Sequence, residues 1–224
     1  MRDVTKRALD LALASTALLA GAPLLAVVSA AIKLESGGPV LFRQLRVGRD
    51  KRPIRTLKLR TMVVDADQRG PQITAGGDPR ITRVGRLLRK TKLDELPQLW
   101  NVIRGDMSLV GPRPEVPRYV ESYRPEWQKL FSVRPGITDL ASLTFRDEES
   151  LLAAAHDRDR AYREVIMPMK LELALEGVER SSIANDLRII ARTALSIVQY
   201  RTRQQDEILA EARRRIEALN TEAR

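Results

Sequence analysis

The chain has 224 residues and a mass of 25.2 kDa, a length that suits one domain with attachments and a core of its own. The absence of cysteine excludes disulfides, thiolate metal sites and cysteine nucleophiles, and the single histidine, His156, argues against a histidine triad or a zinc site. The formal charge of +10 and the pI near 10.4 indicate an anionic partner: nucleic acid, anionic lipid or a phosphorylated substrate.

The N-terminal region carries a long uncharged segment between basic flanks. Residues 11–32 contain no charged side chain and would extend about 33 Å as one helix, which is enough to cross a bilayer. Pro23 lies near the centre of this segment and would kink a helix there. The positive-inside rule favours a cytoplasmic location for both flanks. Two interpretations stay open: a crossing helix, or a helix that enters, breaks at Pro23 and returns on the same side.

The region after this segment predicts a small basic hairpin. Residues 40–44 form the first predicted strand, residues 47–53 a charged turn, and residues 54–62 an alternating second strand. Lys58 and Arg60 lie on the strand face opposite to the leucines, where they bind an anion or simply form a solvated face. A hairpin of this size is too small to be a domain by itself.

The remaining elements are predicted to be mostly helical. Residues 65–79 are polar and rich in Gly and Pro, which predicts a mobile loop, and Thr82 can cap a short basic helix over 83–90. Further helices are predicted over 117–131, from Asp147, over 167–175 and over 183–198, with an extended segment over 138–146. The helices after residue 166 fit either an anionic leaflet or the core. Residues 201–224 predict a charged helix that is a solvated tail or a weak pairing helix.

The stretch around Asp94 and Glu95 concentrates the chemistry. Helical spacing of apolar residues predicts a helix with one apolar face, formed by Leu93, Leu96, Trp100 and Ile103. Pro97 fits only the first turn of such a helix, and Gly105 is a normal helix stop. Asp94 and Glu95 therefore fall at the helix N-terminus, where unpaired backbone N–H groups favour negative charge.

Cations surround this acid pair in the sequence. Arg89, Lys90 and Lys92 lie just upstream, and Arg113 lies downstream between two prolines that restrict its backbone. An acid pair, a helix N-terminus and a rigidly held guanidinium together can hold a metal ion and phosphates. The same cations are expected to lower the pKa of Asp94 and keep it ionised. The alternative is that both acids are ordinary residues of a helix N-terminus.

These motifs together resemble the bacterial sugar transferase family and, more narrowly, its small monotopic phosphoglycosyl transferases. The resemblance is carried by KRALDLALA from Lys6, Pro23, LFRQLRVG, LKLRTM, DPRITRVGRLLRKTKLDELPQLWNVIRGDMSLVGPRPE, VRPGIT and NDLRII. It covers residues 6–198, and the run LDELPQLWNVIRGDMSLVGPRP is highly specific.

The resemblance implies an activity and a set of partners. It implies transfer of a phosphosugar from a nucleotide diphosphate sugar, with UDP-sugar as the expected donor, to a polyprenyl phosphate, through a covalent aspartyl intermediate. It also implies a magnesium ion and a re-entrant helix at the inner membrane, with the catalytic domain on the cytoplasmic face. No nucleic-acid partner is implied, and a homodimer is compatible with the sequence.

The resemblance also assigns roles to individual residues. Asp94 matches the nucleophile and Glu95 its partner in metal binding. The expected phosphate-binding or substrate-binding residues are Lys58, Arg60, Arg89, Arg113 and Arg146. Pro23 matches the proline that breaks the membrane helix, although Ala22 stands where the family often has serine. Asp186 matches an acid that pairs with the basic motif Lys6-Arg7.

The sequence therefore predicts a mainly α protein with one small β-hairpin, an α+β monotopic membrane protein. Residues 1–35 form the expected re-entrant anchor, residues 36–200 the catalytic domain with interfacial helices, and residues 201–224 the helical tail.

Two other functions would also account for the positive charge and the membrane anchor. A membrane-tethered nucleic-acid binder would show salt-dependent affinity without turnover, and a non-catalytic scaffold would keep its function after Asp94→Asn.

Overall fold

A computed structural model describes residues 2–70, 73–74, 77–196 and 202–222, and it is mainly helical with two small sheets. The helices are α1 (Arg2–Glu35), α2 (Arg83–Thr91), α3 (Gln98–Arg104), α4 (Pro117–Val120), α5 (Leu140–Thr144), α6 (Glu148–Ala153), α7 (Arg158–Ala161), α8 (Met167–Glu179), α9 (Ile183–Ser196) and α10 (Arg203–Glu222). The strands are β1 (Leu41–Val47), β2 (Pro53–Leu59), β3 (Ser108–Val110) and β4 (Gly136–Thr138).

The apolar N-terminal segment forms one helix, α1, which contains Pro23 and is long and apolar enough to cross a membrane by length and composition. The sequence predicted two helices separated by a break at Pro23, whereas the structure has one helix there. Re-entry into the membrane stays a prediction. Most of α1 is exposed in the protein, including Leu19 and Val27. Both of its ends nevertheless contact the rest of the chain, since Ala14 packs beside α3 and Ile32 beside β2 and α2.

The predicted hairpin is confirmed. Strands β1 and β2 pair antiparallel from Leu41 opposite Leu59 to Val47 opposite Pro53. A second sheet was not predicted: β3 and β4 pair in parallel, with Ser108 opposite Gly136. Only glycine fits at Gly136, because an added Cβ would lie 2.1 Å from the backbone nitrogen of Gly111. Three residues a strand are too few to produce an alternating pattern, so this pair left no signal in the sequence.

Three predicted elements need correction. The predicted helix over 117–131 is two pieces, α4 and a 3-10 turn over Pro125–Ser132, because Pro125 cannot continue a helix begun at α4. The predicted extended segment over 138–146 contains α5, whose N-terminus Asp139 caps by accepting a bond from the Ser142 amide (2.7 Å). The predicted apolar face of the acid-pair helix is wrong at Trp100, which is 48% exposed, whereas Leu93, Leu96 and Ile103 pack against buried clusters.

The main core lies between the C-terminal helices. Its buried residues include Trp127, Leu152 and Ile166, with Leu209, Ala212 and Ile216 contributed by α10. The interpretation of residues 201–224 as a solvated tail is therefore wrong for the described part. The predicted end of the preceding helix at residue 198, and the domain boundary at residue 200, lie outside the described residues.

Candidate active site

A single turn presents the acid pair. Residues Leu93–Glu95 form a 3-10 turn that follows Lys92, whose backbone is left-handed (φ 60°). Pro97 has helical φ and ψ and precedes α3, so Asp94 and Glu95 lie in the turn before this helix, as the position of the proline predicts. Backbone bonds from Leu96 to Leu93 (3.2 Å) and from Leu99 to Leu96 (3.0 Å) join the turn to the helix.

Glu95 is held by two cations from distant parts of the chain. The ammonium group of Lys58, on β2, donates to Glu95 Oε1 at 3.0 Å. The guanidinium of Arg113 donates to both carboxylate oxygens, with Nη1 at 3.1 Å from Oε2. Burial pushes the pKa of Glu95 upwards, but Arg113 and Lys58 outweigh that effect and hold the pKa well below its usual range. Glu95 is therefore ionised and fully engaged in this arrangement.

Asp94 has a different environment. It is buried, and its Oδ1 makes no hydrogen bond with any described residue. Burial raises the pKa of Asp94; the charge of Lys58 opposes this rise and that of Glu95 adds to it. The sequence-based expectation of a lowered pKa is therefore wrong in direction, because burial outweighs the neighbouring cations. A carboxylate oxygen without a partner is available to a ligand or to an electrophile.

The loop that carries Arg113 is fixed by residues that the sequence analysis missed. Arg46 donates to the Pro114 carbonyl (2.6 Å) and to Glu115 (3.4 Å), and the Tyr162 hydroxyl donates to Glu115 Oε2. Burial raises the pKa of Tyr162 well above its usual value, and the charge of Glu115 adds to the rise, so Tyr162 stays a donor. Glu115 directly follows the Gly-Pro-Arg-Pro motif, which could have indicated it, whereas Tyr162 lies in no recognisable pattern.

The other predicted binding residues lie in different surroundings. Arg89 donates to Glu149 (Nε, 3.0 Å) and to Thr61 (3.3 Å), and its charge acts on Asp94. Arg60 is buried and donates to the carbonyls of Ser36 and Gly37, so it holds the turn after α1 rather than the acid pair. Arg146 is partly exposed and makes no hydrogen bond or ion pair with the described residues. The structure therefore brings Lys58 and Arg113 into contact with Glu95, whereas Arg89 acts on Asp94 through its charge.

The N-terminal end of α1 is bonded to the body of the protein. Lys6 Nζ lies 2.6 Å from Asp186 Oδ2 on α9, so Lys6 rather than Arg7 forms the predicted pair. Arg7 instead donates to the carbonyls of Val102 (2.6 Å) and Ile103 (2.9 Å) at the C-terminal end of α3, where helix carbonyls lack partners.

Two further acids of α1 were not predicted as contacts. Asp10 accepts bonds from the Ser108 hydroxyl (2.7 Å) and the Leu109 amide (3.2 Å), which fixes α1 against β3. At the other end of α1, Glu35 accepts from the first amides of α2, those of Arg83 (2.7 Å) and Val84 (3.0 Å). Both ends of the apolar helix are therefore bonded to the body that carries the acid pair.

The donor set fits a magnesium ion that shares its coordination with a substrate. No group of three metal-ligating side chains occurs among the described residues. Magnesium usually binds through one or two carboxylates, and phosphates and waters complete its coordination. The unpartnered Oδ1 of Asp94 offers one such carboxylate oxygen, whereas both oxygens of Glu95 are engaged by Lys58 and Arg113.

The fold combines an acid pair held among cations with one helix that is long and apolar enough to cross a membrane. The bacterial sugar transferase family model matches residues 1–200. The chain belongs to this bacterial sugar transferase family.

Relatives with assigned names agree with this membership. The UDP-glucose:undecaprenyl-phosphate glucose-1-phosphate transferase of Caulobacter vibrioides is 41% identical over 88% of this chain and 70% of its own length. The exopolysaccharide production protein PSS of Rhizobium leguminosarum bv. phaseoli is 40% identical, with 86% of this chain and 94% of that protein covered. An Escherichia coli transferase with the same name as the Caulobacter protein is 38% identical, and the match spans only 39% of its length.

Proposed function

We propose that this chain transfers a phosphosugar from a UDP-sugar to undecaprenyl phosphate or a similar polyprenyl phosphate. The products would be a polyprenyl diphosphate sugar and UMP, and the reaction would begin the assembly of a polysaccharide or other glycoconjugate. The relatives named for undecaprenyl phosphate and for exopolysaccharide production support this choice.

The observation that carries the proposal is that two neighbouring carboxylates have different environments. Glu95 accepts from Lys58 and Arg113, whereas Asp94 is buried with Oδ1 unpartnered. Environments that push two carboxyl pKa values apart usually separate their roles. Asp94 fits a nucleophile, and Glu95 fits a group that organises cations around phosphates.

The proposed reaction has two displacements at one phosphorus. First, a carboxylate oxygen of Asp94 bonds to the sugar-bearing phosphorus, the bond from this phosphorus to the bridging oxygen breaks, and UMP leaves with the electron pair. An oxygen of the polyprenyl phosphate then bonds to the same phosphorus, and the bond to Asp94 breaks and regenerates the carboxylate. Arg113 and Lys58 would neutralise the charge on the phosphoryl oxygens, and ping-pong kinetics would follow.

Magnesium is part of this proposal, with Asp94 and Glu95 as its protein ligands. When bound, it would neutralise charge on the diphosphate of the donor. Because both oxygens of Glu95 are engaged by Lys58 and Arg113, these cations would have to share or release this carboxylate.

The position of the anchor supports action on a lipid phosphate. The exposed apolar surface of α1 suits a bilayer, and both of its ends are bonded to the catalytic body through Lys6 and Glu35. We propose that α1 re-enters at Pro23 and leaves on the cytoplasmic side. The acid pair would then lie near the headgroups, where the phosphate of the acceptor is found.

Mass spectrometry of the protein treated with a UDP-sugar, in the absence of lipid acceptor, tests the nucleophile. We expect a phosphosugar adduct on Asp94 and a stoichiometric release of UMP. Asp94→Asn should abolish the adduct and reduce turnover by about three orders of magnitude or more. Asp50→Asn is a matched control, because Asp50 is exposed in the hairpin turn with φ 54°, a conformation that asparagine tolerates. An adduct elsewhere, or full activity of Asp94→Asn, contradicts the assignment.

A further inference from the structure

Helix α3 contains two buried side-chain amides, Gln98 and Asn101. Their residues are 2% and 0% exposed. A buried amide normally makes several hydrogen bonds, because a buried donor without a partner destabilises the folded protein. The two residues differ sharply in this respect.

Asn101 is a structural amide. Its Nδ2 donates to the Arg55 carbonyl (2.8 Å), and its Oδ1 accepts from the Leu57 amide (3.0 Å). Because these are backbone groups of β2, Asn101 fastens α3 to the hairpin in the way that a neighbouring strand would. The burial of this amide is explained by its partners.

The side chain of Gln98 makes no hydrogen bond with the described residues, and its Nε2 is buried without a partner. The Oδ1 atom of Asp94 is in the same condition. The two atoms do not satisfy each other in this structure. A donor and an acceptor that are both buried and unpartnered in one helical stretch indicate that a ligand supplies their partners.

The position of Gln98 points to the acid pair. The chain is helical from Leu93 to the end of α3, so Gln98 lies about one turn after Asp94. It also lies three residues before Asn101 and therefore on the helix face that meets β2. The same strand carries Lys58, whose ammonium group reaches Glu95.

We propose that the Gln98 amide donates a hydrogen bond to a phosphoryl oxygen of the diphosphate bound at Asp94, as a further catalytic residue. This inference rests on the proposed function. An uncharged donor that is already desolvated stabilises the charge that develops on phosphoryl oxygens without reorganising water. The unpartnered amide then destabilises the folded protein, and substrate binding offsets this destabilisation.

The test compares Gln98→Met with Asn101→Leu, each an apolar replacement of similar shape. We expect Gln98→Met to have a melting temperature equal to or above that of the unchanged protein, because it removes an unpartnered donor. Asn101→Leu should melt several degrees lower, because it leaves the backbone groups of Arg55 and Leu57 without partners. Gln98→Met should bind UDP with magnesium about 10-fold more weakly and release UMP about 100-fold more slowly.

The outcomes separate this inference from the proposed function. If Gln98→Met melts as low as Asn101→Leu, the amide has a structural partner and the inference is wrong. It is equally wrong if Gln98→Met binds UDP and turns over like the unchanged protein. If the unchanged protein binds UDP yet releases no UMP from any UDP-sugar, the proposed transfer fails while the UDP affinities still decide the role of Gln98. Absence of UDP binding to the unchanged protein overturns both.

Discussion

Asp94 and Glu95 show how strongly burial and neighbours separate two adjacent carboxyls. Burial acts on both, but Arg113 and Lys58 contact Glu95 directly, whereas the charges of Lys58, Lys92 and Arg89 act on Asp94 without a hydrogen bond. The pKa of Glu95 is therefore lowered and that of Asp94 is raised. The sequence placed both acids beside cations, but it contains no information on which of them is desolvated without a partner.

Asp139 offers a test of how the burial of a carboxyl makes folding stability depend on pH. Burial raises the pKa of Asp139, while the Ser142 amide and the charge of Lys170 oppose the rise. Because the folded pKa lies above the ordinary value of 3.8, the contribution of this group to stability is full below pH 3.8 and is lost as the pH rises through the folded pKa. Asp139→Asn keeps the cap to Ser142 and cannot ionise. The variant should therefore gain stability relative to the unchanged protein as the pH rises above 3.8.

Urea unfolding at several pH values measures this difference. Asp157→Asn is a suitable control, because Asp157 also caps a helix, through the Arg160 amide (3.0 Å), but is exposed. The control reports the effect of replacing a capping carboxylate that is exposed. A stability difference for Asp139→Asn that stays flat or shrinks as the pH rises would contradict the direction of the shift.

The secondary-structure elements differ in how well their sequences predict them. The hairpin and α2 were predictable, because seven-residue alternating strands and a cap by Thr82 are local signals. The 3-10 turn over Pro125–Ser132 and the π-helical turn over Tyr162–Ile166 were not, since tertiary packing selects such turns. The charged composition of α10 also concealed its buried stripe, whose members Leu209, Ala212 and Ile216 recur at helical spacing.

The attachment of α1 to α9 depends on the Lys6–Asp186 ion pair. The side chain of Asp186 is 7% exposed and that of Lys6 is 23% exposed, so both charges are largely removed from water. Removing one partner of such a pair leaves the other charge uncompensated, at a cost of about 3 kcal/mol or more. Lys6→Met and Asp186→Leu should each lower the free energy of unfolding by about this amount. The double variant should lose much less stability than the sum of the two single effects.

A double-mutant cycle in detergent micelles or nanodiscs measures the coupling. Lys33→Met is the matched control, because Lys33 lies at the other end of α1 and, among the described residues, donates only to the exposed Gly38 carbonyl (2.7 Å). It should change stability by less than about 0.5 kcal/mol. Additive effects of Lys6→Met and Asp186→Leu would show that the pair does not hold α1 in place.

The arrangement of α1 on the body of the protein bears on membrane topology. The sequence left crossing and re-entry open, because hydropathy and Pro23 are compatible with both. The structure adds contacts at the two ends of α1: Lys6 and Asp10 fix its N-terminal part, and Glu35 its C-terminal end. A helix that crosses a bilayer would have to break one of these groups of contacts, since the body cannot lie on both sides. The contacts therefore favour a single side for both flanks.

Cysteine labelling tests this topology directly, because the chain has no native cysteine. Asp3→Cys and Gly37→Cys are suitable sites, since both residues are exposed and an added Cβ at Gly37 meets nothing within 4 Å. In sealed vesicles, we expect both sites to react with an impermeant reagent only from the cytoplasmic face.

Pro23→Ala should expose the Asp3 site to the outside in some molecules, because a straight helix no longer loses a backbone hydrogen bond at that position. Combining Pro23→Ala with Lys6→Met should increase this fraction, since the ion pair to Asp186 opposes crossing. Labelling of the Asp3 site from the outside in the protein with native Pro23 would reject re-entry.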